Sequence, residues 1–183
     1  MSANQTIEQL QNIDRNTVFH PSTHASDHAH GNTPVNIIKS GNGIYINNQH
    51  GTELLDGFAG LYCVNVGYGR TEIAEAIYQQ ALKLSYYHTY VGHSNEAIIE
   101  LSQRVIDWAP DGMSKVYYGL SGSDANETQI KLVRYYHNIL GNKEKKKIIS
   151  RQRGYHGSGI ASGSLTGLPL YHQAFDLPME TIL

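Results

Sequence analysis

One cysteine, Cys63, stands in 183 residues, which excludes an intramolecular disulfide framework and the small secreted scaffolds built on one. No run approaches the ~20 apolar residues of a membrane span. The polar N-terminus also lacks the apolar core of a secretory signal, so a cytoplasmic setting is expected. Charge is sparse and balanced, with 14 Lys and Arg against 16 Asp and Glu, so neither nucleic acid nor a membrane surface is implied as partner. A Walker-type loop is missing because no lysine follows Gly122 and Ser123. "GYG" at 67–69 and the glycines at 154, 157 and 159 do not form a dinucleotide fingerprint, since neither stands between a strand and a helix in the required order.

The chain can bury one core, or one large domain with part of another. Thr6 to Asp14 carries Ile7, Leu10 and Ile13 at helical spacing, and a histidine-rich loop follows through His30. "VNIIKSGNGIYINNQHGTELLD" alternates apolar and polar residues around turn signals, which predicts an antiparallel meander of three short strands. A helix is expected from Thr71, with Ile73, Ile77, Ala81 and Leu84 inward. Another is expected from Asn95 to Trp108, with Ile98, Leu101, Val105 and Trp108 on one face. Lys115 to Tyr118 reads as a buried strand. A helix from Asp124 to near Gly141 follows, with Ile130, Val133, Tyr136 or His137, and Leu140 as its apolar stripe. A second apolar run spans Lys147 to Ser150. Strand, helix, strand implies a right-handed crossover in a mostly parallel sheet, hence an α/β fold.

Ser121, Gly122 and Ser123 fall at the strand-to-helix junction, where unpaired N–H groups and the helix dipole suit an anion, a phosphate above all. Asp124 as cap with Glu127 reaching back gives the junction an ordinary capping role as well. "RGYHGSG", 153–159, follows the next strand and emerges beside that turn. Tyr155 is placed to stack on a flat phosphorylated ligand; the competing reading makes it a core residue over a glycine turn. His20, His24, His28 and His30 lie in a loop with no flanking carboxylate or cysteine, so no metal site is expected there. "KEKKK" at 143–147 reads as a solvated turn.

"LLDGFAGLYCVNVGYGR", "YYGLSGSDANETQIKLVRYY", "IISRQRGYHGSGIASGSLTGLP" and "FDLP" resemble the N-terminal portion of class III aminotransferases, fold type I enzymes dependent on pyridoxal 5'-phosphate (PLP). The similar branch is that of the omega-amino acid or amine:pyruvate transaminases. The resemblance implies that Ser121, Gly122 and Ser123 hold the cofactor phosphate and that Tyr155 stacks on the pyridine ring. It also implies that Tyr62 lines the substrate pocket, joined by Tyr90 from the partner subunit of a homodimer with shared active sites; His156 is left without a fixed role. Residues 1–60 would open the small domain, and 61–183 would form the first, truncated part of the large PLP-binding domain. Gln152 stands where many relatives carry Trp, and Ser22 where they carry an aromatic residue. Family members run well beyond Leu183, and the Schiff-base lysine belongs to that further part. No catalytic residue is therefore assigned here; Lys115, Lys131 and the 143–147 group match no such motif. The expected parent activity moves an amino group from an amine or omega-amino acid to a keto acid such as pyruvate. The alternative is a non-catalytic fragment that binds a phosphorylated ligand or pairs with a full-length subunit.

Overall fold

Thr6 opens the first helix through a reciprocal cap. Its Oγ1 accepts the Gln9 N–H (3.2 Å), and Gln9 Oε1 accepts the Thr6 N–H (2.8 Å). That cap starts α1 (Ile7–Thr17) in the computed structural model, which describes residues 5–183. The chain divides into two compact units, one up to His88 and one from Thr89 to Leu183.

In the first unit, the stretch expected to be a histidine-rich loop contains a short helix, α2 (Ala25–Ala29). His24 caps it, its Nδ1 accepting the Asp27 N–H, and Pro21 lies safely before the first turn. The meander forms as expected, with β1 (Ile38–Asn42), β2 (Tyr45–Asn48) and β3 (Glu53–Leu55) in antiparallel order. Gly43 makes the tight β1–β2 turn at φ +57°, a left-handed conformation that glycine adopts without steric cost. A one-turn element α3 (Ala59–Tyr62) and the longer α4 (Thr71–Leu84) complete this unit.

The second unit holds α5 (Glu96–Trp108), begun by Asn95, whose Oδ1 accepts the Ile98 N–H (3.1 Å), then α6 (Gly122–Ile139) and α7 (Ile160–Leu165). Ile130 of α6, Ala161 and Leu165 of α7, and Ile182 make its core, with Ile148 and Met179 packed on them.

Three expectations are corrected. Lys115–Tyr118 forms no strand, because an extended segment becomes a strand only when a neighbour accepts its ladder, and none does among the described residues. Lys147–Ser150 is paired only as an isolated parallel bridge: Ile148 N–H reaches Thr181 O, and Ser150 N–H reaches Leu183 O. The apolar stripes of α4 and α5 form at the right spacing but stay uncovered, with Ile77 64% and Trp108 86% exposed. Periodicity marks which face seeks cover, not whether the chain itself supplies it. In α6 the covered side runs through Ile130, Arg134 and His137, while Val133 and Tyr136 are exposed. Among the described residues no helix is long and apolar enough to cross a membrane.

Candidate functional site

Helix α6 begins two residues earlier than its periodicity suggested, at Gly122. Ser121 is the cap, its Oγ accepting the Asp124 N–H (3.1 Å). Asp124 is not the cap; its carboxylate reaches back to the Leu120 N–H (2.9 Å). Within the described residues nothing accepts the N–H groups of Gly122 and Ser123, which are the first two of an 18-residue helix and lie at its positive end. A Cβ on Gly122 would meet nothing within 4 Å.

The 154–159 loop is fastened to this helix start. Ser158 N–H donates to Ser123 Oγ (3.3 Å), and Asn126 Nδ2 donates to His156 O (2.7 Å). Glu127 does not reach back to its own helix start. It crosses to α7, where its Oε1 accepts the N–H groups of Ala161 (3.0 Å) and Ser162 (2.8 Å), an acidic cap on a positive helix end. Fully buried Thr166 closes the loop from below: its Oγ1 accepts the His156 N–H (2.9 Å) and donates to Gly157 O (2.8 Å). Tyr155 stands on this brace 57% exposed, its ring edge-on to Tyr171 at 5.5 Å. Sequence reasoning missed Asn126 and Thr166, and gave Glu127 the wrong partner. Asn126 and Glu127 stand about one helical turn beyond Ser123, the only local sign of their role.

Tyr62 lies in the first unit, in an unusual segment. Ala59, Gly60, Leu61 and Tyr62 have φ of +48°, +56°, +62° and +66°, so α3 is one left-handed turn. Left-handed runs are disfavoured for residues with a Cβ and persist only where the surroundings hold them. Asp56 does so. Its carboxylate accepts the N–H groups of Phe58 (3.1 Å) and Gly60 (2.8 Å) and the Tyr68 hydroxyl (2.7 Å). Tyr62 emerges 73% exposed, edge-on to Phe58 at 4.8 Å. Tyr90 lies in a single turn, Tyr90–Gly92, of the second unit and is 78% exposed.

The Tyr68 hydroxyl, and after it the Gly60 N–H, hold the Asp56 carboxyl below its usual range, while the same bond raises the Tyr68 phenol above 10.0. A depressed carboxyl contributes stability that is present above its unfolded value and lost as pH falls through the folded one. A raised phenol contributes stability that is present below 10.0 and lost as pH rises through its folded value. The Gly60 amide should thus be most protected between those limits. Asp56→Asn should quicken its exchange throughout that window, as read by hydrogen exchange corrected for intrinsic rates.

The family profile for class-III aminotransferases matches residues 25–182, and the chain belongs to that family. It is 66% identical over 177 residues to the diaminobutyrate–2-oxoglutarate transaminase of Halomonas elongata, covering 97% of this chain and 38% of that one. Over 147 residues it is 40% identical to the putrescine–pyruvate aminotransferase of Pseudomonas aeruginosa, covering 80% and 32%. A structure from the directed evolution of transaminases by ancestral reconstruction superposes with a TM-score of 0.94 at 69% identity, covering 97% and 39%. The omega transaminase of Pseudomonas jessenii in complex with PMP gives 0.91 at 40% identity, covering 95% and 38%. The chain thus spans about 38% of the length of such relatives.

Proposed function

We propose that this chain supplies the phosphate- and ring-holding part of a transaminase that moves an amino group from an amine or omega-amino acid to a keto acid. The observation that carries the reading is the pairing of two unengaged N–H groups at the start of α6 with an exposed tyrosine on a loop hydrogen-bonded to that same start. These residues fit PLP: the N–H groups of Gly122 and Ser123 and the Ser121 and Ser123 hydroxyls suit its phosphate, and Tyr155 suits its ring. When bound, PLP supplies the electron sink that lets the amino group leave one carbon and join another. Tyr155 covers one face and excludes water from it, while Asn126 and Thr166 keep its loop from drifting. Residues 1–60 belong in this reading to the small domain and 61–183 to the large one.

Both named relatives take donors bearing a terminal amine, diaminobutyrate in one and putrescine in the other, while their acceptors are 2-oxoglutarate and pyruvate. Terminal amines are accordingly the donor class proposed here, with a keto acid as acceptor. Tyr62 and Tyr90 line the amine pocket, Tyr90 reaching it from the second subunit of a homodimer.

Ser123→Ala in the full-length enzyme should weaken PLP retention by about 1.5 to 3 kcal/mol, the worth of a charge-assisted hydrogen bond. Equilibrium titration with PLP measures it, and unchanged affinity would remove Ser123 from the phosphate site. Tyr62→Ala should change the ratio of kcat/KM between bulky and small amines while PLP affinity stays the same. A fixed ratio, or loss of the cofactor instead, would return Tyr62 to a purely structural role.

A further inference from the structure

The histidine-rich segment acquires a carboxylate partner from α1. Asp14, on the last turn but one of α1, brings its Oδ1 to 2.9 Å from His20 Nε2 and 3.1 Å from His28 Nε2. One ligand atom from each of the three residues falls within 4.8 Å of the other two. The His28 side chain is only 7% exposed, and its Nε2, though near the carboxylate, has no hydrogen-bond partner. Its N–H direction therefore misses Asp14 Oδ1. A buried imidazole nitrogen left in that state is costly, and a ligand lying between the three atoms would satisfy it.

We propose that Asp14, His20 and His28 bind one divalent first-row transition metal ion of the Zn²⁺ class, clipping the end of α1 to α2. Two neutral imidazoles with one carboxylate select such an ion over Mg²⁺ or Ca²⁺, which prefer all-oxygen ligands. Zn–N and Zn–O bonds of ~2.0–2.2 Å at tetrahedral angles place neighbouring ligand atoms roughly 3.3–3.6 Å apart, so an ion would spread the two separations seen here by a few tenths of an ångström. His20, the more exposed imidazole, closes the third side by rotating. It lines, with His28, Arg15 and Thr23, a recess of about 250 Å³, which leaves room for water or a small anion at the remaining position. His24 and His30 stand outside the set: His24 is held by Asp27 at 3.2 Å, and His30 Nδ1 by Ser26 O at 2.7 Å.

The test is equilibrium dialysis of the full-length enzyme against buffered Zn²⁺, with bound metal counted by elemental analysis. Co²⁺ is substituted in parallel to give a visible ligand-field spectrum. Expected are about one equivalent per chain and a loss of affinity exceeding about 100-fold in both His20→Ala and Asp14→Asn, more than the replacement of an outer-shell partner causes. A double variant, His24→Ala with His30→Ala, should bind as the natural chain does. His28→Ala is the most direct probe, but its burial puts folding at risk, so the decision rests on the two more exposed ligands. No stoichiometric metal, an equivalent that survives in His20→Ala and Asp14→Asn, or one that disappears with His24 and His30 would each overturn the proposal.

Discussion

Gly157→Ala in the full-length enzyme is expected to destabilise the 154–159 loop by about 3 kcal/mol or more and to release PLP on dialysis. Gly157 has φ of +130°, in a region open almost only to glycine. A Cβ there would lie 2.7 Å from both Ser123 Oγ and Ser162 Cβ. The Ser123 hydroxyl could turn aside, but the Ser162 Cβ belongs to a fully buried residue of α7 and cannot. The loop would have to retreat, breaking the Thr166 bond to Gly157 O and the Ser158 bond to Ser123 Oγ, and so turning Tyr155 out of position. Gly112→Ala is the matched control. Gly112 also has a positive φ, +91°, but nothing stands within 4 Å of its would-be Cβ. Only the backbone strain of about 1–2 kcal/mol should appear there, with PLP retained. Tm and cofactor content after dialysis read both variants, and a Gly157→Ala enzyme indistinguishable from the Gly112→Ala control would refute the close-packed loop.

Residues 1–183 taken alone should give no amine-dependent turnover above free PLP mixed with an equal concentration of lysine. The cradle, the hydroxyls and the ring can hold a cofactor, yet none of these groups can exchange an amine with it or carry a proton between carbons. Lys131 lies within α6 itself, and the next lysines sit in the turn after it, where Lys146 Nζ is bonded to Asn138 Oδ1. Any of them can react with PLP in solution, so colour alone decides nothing. A single-turnover assay of PLP conversion to pyridoxamine phosphate is decisive, and a rate clearly above the control would assign catalysis to a lysine within this chain. The same sample should self-associate, because Leu120 is 98%, Trp108 86% and Ile149 83% exposed.

The amino-acid sequence by itself determined whatever is decided within a few residues. Thr6 with Gln9 and Asn95 with Ile98 N–H start their helices, Gly43 turns the meander, and Ser121-Gly122-Ser123 leaves a helix start open to an anion. These interactions form between near neighbours and cost little loop-closure entropy, so they show in spacing. Tertiary structure decided the partners that lie far along the chain. Glu127 looks like half of a capping box, but it caps another helix 34 residues on, and Asn126 finds His156 O 30 residues away. Arg134 meets Thr181 Oγ1, 47 residues on, so the covered side of α6 runs through Arg134 and not through Val133 and Tyr136. Asp14 gains its histidines in the same way, and Asp56 its tyrosine. An amphipathic pattern states only that a face requires cover, and a polar residue only that it requires a partner. Which atoms answer is settled when burial makes an unanswered group too costly, and that balance exists only in the folded chain.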